Sequence, residues 1–303
     1  MTLPVAAPAD SRQALAAGIG SYIFWGGMPA LFLVMGHFGA GPWEILGQRT
    51  LWALPCALFL VIWARQGEEV RRVLTSPRIL VWLVVSSVMI AINWTTFVWA
   101  VSRGQTLETS LGYYINPLLN MAVGALFFRE RIHALGFVAI GLAVAGVVLQ
   151  AFALHGVPVV ALVLAFSFGA YGIIRKQVPA SAQTGLFIEC LFMVVPGAAY
   201  VAWLLAHGGG VFGASLWGSL LMMSAGPATV IPLALFSWSA RRLPLSTVGF
   251  IQFISPTLGF FVGVEDHEKL TPLGLASFAF IWGGAVVFMI GAWRASRRAA
   301  AQS

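Results

Sequence analysis

The sequence predicts an all-α integral membrane protein of ten transmembrane helices, arranged as two inverted five-helix repeats. Three observations carry that prediction. Of 303 residues, 59% are hydrophobic and only 9% charged, with a mean hydropathy of +0.89. A soluble domain carries about 25% charged residues, so this chain cannot build a water-exposed surface. Ten apolar segments approach the ~20 residues that a bilayer core demands, and Lys and Arg collect on one side of the membrane when those segments are threaded through it.

Taken in order, the segments are 14–36, 42–64, 78–101, 106–128, 133–153, 155–174, 183–206, 215–239, 244–264 and 271–293. The first is interrupted by Gly26, Gly27 and Pro29, yet its apolar run is too long for a signal peptide, so it reads as a membrane helix. The longest polar connection, Arg65 to Pro77, carries a mixed charge run and reads as a solvated loop. With the N-terminus in the cytoplasm, that side holds Arg12, Arg65, Arg71, Arg72, Arg78, Arg129, Arg131, Arg175, Lys176, Arg241, Arg242, Arg294, Arg297 and Arg298. The other side holds Arg103 and Lys269, and Arg49 lies within a helix. Both termini are therefore expected in the cytoplasm. The net charge of +7 is then an orientation signal and not a nucleic-acid footprint.

The halves echo each other. Trp25-Gly26 in the first helix corresponds in depth to Tyr171-Gly172 in the sixth, and Asn116-Pro117 in the fourth to Ser255-Pro256 in the ninth. Five is an odd number, so a second five-helix unit enters the membrane upside down. The expected organisation is a cytoplasmic tail (1–13), a first repeat (14–153), a second repeat (154–293) and a cytoplasmic tail (294–303). Inverted repeats with interrupted helices are the plan of secondary transporters, whose site lies near the midplane. The stretch Leu107 to Met121 draws attention within it, because Pro117 removes a backbone donor and is expected to break the helix, freeing a carbonyl near Tyr113.

These strings carry a family resemblance. Tyr22-Ile-Phe-Trp-Gly-Gly-Met-Pro29, Asn93-Trp94, Leu107 to Leu118, Ala165-Phe-Ser-Phe168 with Tyr171-Gly172, Arg175-Lys176, Gln183-Thr-Gly185, Ile188-Glu189, Leu245 to Gln252 and Phe278 to Trp282 run nearly end to end. As a set they resemble the EamA family of the drug/metabolite transporter superfamily, and within it the RarD-type members. The resemblance implies ten helices in two inverted repeats and the export or exchange of small organic solutes. RarD-type proteins are linked to chloramphenicol sensitivity, and related members of the superfamily export amino acids. The interval from Pro256 to Glu268 is one residue shorter than that from Pro117 to Glu130, and Glu265-Asp266-His267 replaces a more apolar helix end.

Candidate site residues follow from cost. An ionisable group at membrane depth costs about 2.5–3.5 kcal/mol on insertion scales and needs a partner or water. Glu189 lies about 9 Å into the seventh helix from the cytoplasmic side. It is a candidate for proton coupling or for holding a substrate amine; its alternative is a structural pair with Arg175 or Lys176. Arg49 and Glu108 share a depth near the outer side, so an ion pair is expected, either a clamp between helices or an outer gate. Asn93, Trp94, Tyr113, Asn116, Asn120 and Gln252, with Trp25 and Tyr171, are amphipathic or polar groups that could line a substrate cavity; alternatively the amides are glue between helices.

The remaining chemistry is exclusion. Cys56 and Cys190 both fall in apolar segments and read as core residues. The five histidines fall at helix ends without metal spacing, and no Gly-rich phosphate loop is present. No cofactor is expected, and transport would be driven by a gradient. The expected partners are a small-molecule substrate and the lipid bilayer of a bacterial-type inner membrane; no oligomeric state is implied. A membrane-embedded enzyme or a channel are the competing classes. Scattered ionisable groups argue against the first, and the lack of a charged ring against the second.

Overall fold

A computed structural model describes residues 8–128, 134–153, 155–240, 242–243, 251–266 and 271–300. The chain is helical throughout these residues, with a single isolated β-bridge between Phe212 and Ser215. In order the helices are α1 (Pro8–Gly26), α2 (Met28–His37), α3 (Pro42–Trp63), α4 (Gly67–Leu74), α5 (Pro77–Val101), α6 (Thr106–Phe128), α7 (Ala134–Ala153), α8 (Val159–Gln177), α9 (Ala182–Ala206), α10 (Leu216–Ala240), α11 (Ile254–Glu265) and α12 (Pro272–Ala300). Seven spans among the described residues are long and apolar enough to cross a membrane, α1 and α2 counting as one from Arg12 to His37. Two shorter apolar helices are Val159–Arg175 and Ile254–Glu265.

Their outer surface is apolar, as a bilayer requires. Phe59, Trp63, Val81, Phe137, Phe152, Phe166 and Val195 are all exposed. Trp43 and Trp63 stand exposed near opposite ends of α3, 20 residues apart. At 1.5 Å per residue that is about 30 Å, the thickness of a hydrocarbon core, so the pair falls where interfacial aromatic belts lie.

Proline behaves differently in three places. Gly27 separates α1 from α2 just ahead of Pro29, as the sequence suggests. The ninth predicted segment is interrupted by a turn at Gln252 and Phe253, so that Pro256 falls in the first turn of α11, where its missing N–H costs nothing. The expected break at Pro117 does not occur: α6 is continuous from Thr106 to Phe128. One proline removes one ladder bond, and a helix held on both sides by a bundle keeps its course. Pro55, Pro196, Pro227 and Pro232 likewise sit inside helices.

Helix neighbours are set by small residues at crossings. The principal pairs are α7 with α12, α3 with α9, α3 with α10, α5 with α8, α6 with α8, α1 with α10, α6 with α11, α1 with α11 and α5 with α9. At the α3–α9 crossing a side chain on Gly47 would lie 3.2 Å from the carbonyl oxygen of Gly197, so only glycine lets the two backbones approach. At the α7–α12 crossing the Ser277 hydroxyl donates to the Gly146 carbonyl at 2.7 Å.

The predicted solvated loop is the largest local correction. Residues 67–74 form helix α4, with Glu68 and Glu69 in its first turn and Arg71 and Arg72 in its last, which suits the helix dipole. Val73 is fully buried on its inner side.

Candidate functional site

Two buried charges lie at matching positions, each the eighth residue of its helix: Arg49 in α3 and Glu189 in α9. Their surroundings differ. Glu189 is 1% exposed. Its Oε1 accepts from the Ser86 hydroxyl on α5 at 2.6 Å, and its Oε2 from the Tyr171 hydroxyl on α8 at 3.1 Å. Arg175 Nε, also on α8, lies 3.6 Å from Oε1. Of the two cations the sequence offers as structural partners for Glu189, Arg175 lies within ion-pair distance. The side chain of Lys176 lies outside the described residues.

Arg49 is 5% exposed and does not meet Glu108, contrary to expectation. Its Nε donates to the Thr229 hydroxyl on α10 at 2.9 Å. The guanidinium sits 4.0 Å from the centre of the Trp94 ring and 5.7 Å from that of Phe32. Among the described residues no carboxylate lies within ion-pair distance of it, and its Nη1 has no hydrogen-bond partner. A cation on an aromatic face is worth about 2 kcal/mol when desolvated, and a charged hydrogen bond about 1.5–3 kcal/mol. Together these roughly offset the insertion cost of an arginine. Glu108 is held elsewhere: its Oε1 accepts the backbone N–H groups of Val160 and Ala161 at 3.1 and 3.5 Å, capping the N-terminus of α8. Shared depth is no guide to pairing when the two groups face different helices.

Between the two charges runs a wall of rings. Phe32 packs on Phe97, Phe97 on Tyr113, Tyr113 on Phe168 and Phe168 on Tyr171, with centroids 5.7–6.1 Å apart. Asn93 ties the wall together, accepting from the Tyr113 hydroxyl at 3.0 Å while donating to the Leu164 carbonyl and the Ser167 hydroxyl, both at 3.1 Å. Asn93, Trp94, Tyr113 and Tyr171 are thus brought together with Arg49 and Glu189. Trp25 shares the core that holds Phe32, Phe97 and Tyr113. Trp25 packs against Tyr22 and Phe236. Gln252 is half-buried in the turn ahead of α11, and Asn116 is buried, its Oδ1 lacking a donor among the described residues. The side chain of Asn120 lies outside the described residues. An open groove of about 470 Å³ lies to one side, on the outer surface at the α1–α2 break against α10, lined by the exposed Ile23 and Phe24 with Met28, Leu31, Pro227 and Ala228 among others.

Both ends of the bundle are latched by carboxylates. On the Arg65–Pro77 side, Glu69 Oε1 accepts the Ser181 N–H at 2.9 Å, and its Oε2 lies 3.0 Å from the Thr184 hydroxyl. Gln66 Oε1 accepts from the Ser181 hydroxyl at 2.9 Å, and Gln66 Nε2 donates to Gln183 Oε1 at 3.3 Å. Burial opposes ionisation of Glu69, but the bonds from Ser181 and Thr184 and the charge of Arg72 outweigh it and hold the carboxyl below its ordinary value. At the other end Glu44, 2% exposed, accepts the N–H groups of Val211 and Phe212 at 2.7 and 3.0 Å. Sequence reasoning passed over Glu44; the available signal was an acidic residue in the first turn after Gly41-Pro42, with no basic neighbour. Among the described residues no cluster of His, Cys, Asp or Glu could hold a metal ion.

The EamA-like transporter family profile matches residues 12–152. Protein RarD of Salmonella typhi is 37% identical to this chain, over 95% of this chain and 98% of its own. The chain belongs to the EamA-like transporter family. A member of Vibrio cholerae serotype O1, described as an uncharacterized transporter, is 38% identical over 96% of each chain. A solved structure described only as the crystal structure of a protein matches with a TM-score of 0.63, covering 92% of this chain and 98% of its own. At 16% identity that likeness speaks to fold alone. Family and apolar helices together make this EamA protein a multi-pass membrane protein.

Proposed function

We propose that this protein is a secondary transporter that exports or exchanges small organic solutes by alternating access, and neither an enzyme nor a channel. One observation carries the reading. Shifting each span by five exchanges α1–α2 with α8, α3 with α9, α5 with α10, α6 with α11 and α7 with α12. Under that exchange the α3–α9, α6–α11 and α7–α12 pairs map onto themselves. The α5–α8 pair maps onto α10–α1, α6–α8 onto α11–α1, and α3–α10 onto α9–α5, all principal pairs of the bundle. Partners of the two buried charges follow the same rule: Ser86 and Thr229 lie on the exchanged helices α5 and α10, and Tyr171 and Phe32 on α8 and α2. This supports ten spans in two inverted repeats, 14–153 and 154–293, related by an axis in the membrane plane.

On this reading both termini are cytoplasmic. The network of Gln66, Glu69, Ser181 and Thr184 is the inner latch, and Glu44 with Val211 and Phe212 is the outer one. Glu189 with Arg175 clamps α9 to α8 behind the inner latch, and the wall from Phe32 to Tyr171 borders the solute path. The chloramphenicol sensitivity after which a Pseudomonas aeruginosa RarD protein, 29% identical to this one, is named makes an aromatic drug-like solute a reasonable first test.

Counterflow by purified protein in liposomes tests the proposal. A carrier gives saturable exchange of labelled solute; ohmic current would indicate a channel, and covalent turnover an enzyme. Cysteines placed at Gly41 and Asp266 should react with an impermeant reagent from outside, and one at Gly67 should not.

A further inference from the structure

We propose that the solute is an organic monoanion, whose carboxylate is received by Arg49. This rests on the carrier reading above and gives it a substrate class. Every other charge at membrane depth among the described residues is answered within the protein. Glu189 faces Arg175, Ser86 and Tyr171; Glu108 caps α8; Glu44 holds Val211 and Phe212. Of the two guanidiniums at membrane depth among the described residues, Arg175 has a carboxylate beside it and Arg49 has none; Glu108 and Glu44 also lack an opposite charge but accept backbone N–H groups, whereas Arg49 Nη1 is a buried donor with nothing to donate to. A guanidinium whose Nε is already fixed by Thr229 and whose face lies on Trp94 is oriented in advance, so an incoming anion need not order it.

Charge count narrows the class further. One buried cation neutralises one negative charge. A dianionic phosphate ester would leave a net charge in a low-dielectric site, because Arg49 brings a single positive charge. A zwitterion would need a carboxylate beside Arg49 for its amine, and among the described residues none lies within ion-pair distance of that guanidinium. The body of the molecule should be apolar. Arg49 is framed by the Phe32 and Trp94 rings.

The test is calorimetric binding to detergent-solubilised full-length protein, using benzoate, phenylacetate and indole-3-acetate, each beside its neutral amide, together with phenylalanine as the zwitterion. The expected result is binding of at least one acid about tenfold tighter than its amide and than phenylalanine. The preference should shrink to near unity in Arg49→Gln and survive in part in Arg49→Lys. Amides or phenylalanine binding as well as the acids, or no acid binding at millimolar concentration, would overturn the proposal, as would an acid preference unchanged in Arg49→Gln. If Arg49→Gln does not fold, the acid–amide comparison on the native protein and on Arg49→Lys still decides. Counterflow with the same probes separates the two readings. Acid binding without exchange keeps the anion site and removes the carrier; saturable exchange of neutral or zwitterionic probes alone keeps the carrier and removes the anion site.

Discussion

Glu189 and Arg49 are each the eighth residue of their helices, yet one faces an opposite charge and the other does not. Glu189 has a hydroxyl on each oxygen and a guanidinium at 3.6 Å, so the cluster is neutral as it stands. Arg49 has one hydroxyl and two ring faces, so its cluster carries a net positive charge. On the repeat proposed above, one scaffold is used twice with different side chains set on it. On the topology proposed above, the inner position is a closed structural clamp and the outer one an open electrostatic site.

If so, the same kind of substitution should have very different consequences at the two positions. Glu189→Gln should produce the largest effect, because it strands Arg175 in a buried site. Breaking a buried pair from one side costs about 3 kcal/mol. Melting of the purified variant should show that loss, with partial recovery in the Glu189→Gln, Arg175→Gln double variant. Gradient-driven uptake and passive exchange should fall together; loss of uptake with exchange intact would instead make Glu189 a proton-coupling group and break the comparison.

Gly185→Ala sharpens the same point without altering charge. A Cβ there would collide with the Arg175 guanidinium, which must then move away from its seat beside Glu189. The expected loss is about 1–2 kcal/mol, and it should vanish when Glu189 is already Gln.

Much of this contrast was legible in the sequence, and its limits have physical causes. Ionisable groups at membrane depth are rare, so Arg49, Glu108 and Glu189 stood out on cost alone. Hydropathy gave the height of each group but not its direction around the bundle, which is why Arg49 was paired with Glu108 when one faces α10 and the other caps α8. The charge run at 65–77 read as solvated because its composition is polar; that Gln66 and Glu69 meet the N-terminus of α9 depends on packing more than a hundred residues away. Pro117 was expected to break α6, whereas the break in the other half falls at Gln252, ahead of Pro256. The spans themselves were readable because a bilayer leaves few choices of length and polarity.

The inner latch should respond to pH. The folded carboxyl of Glu69 is held below its ordinary value of 4.5, so its contribution is present above that value and is lost as pH falls through the depressed one. Melting temperature should therefore drop on acidification from pH 7 to about pH 3, and Glu69→Gln should flatten that part of the profile. The smallest effect on stability is expected from Arg49→Gln. It removes an aromatic contact and a hydrogen bond but also an unpaired buried charge, so the net change should stay within about 1 kcal/mol. A loss comparable with that of Glu189→Gln would show that Arg49 is a structural clamp like its counterpart.

Alternating access requires the inner latch to part, and a tether across it tests that requirement most directly. With Cys56 and Cys190 replaced, Gln66→Cys and Gln183→Cys can be joined by a short, reducible bifunctional thiol reagent across the seam where the two amides now meet at 3.3 Å. Counterflow should fall to background in the tethered protein and return on reduction. Undiminished exchange by fully tethered protein would contradict the account.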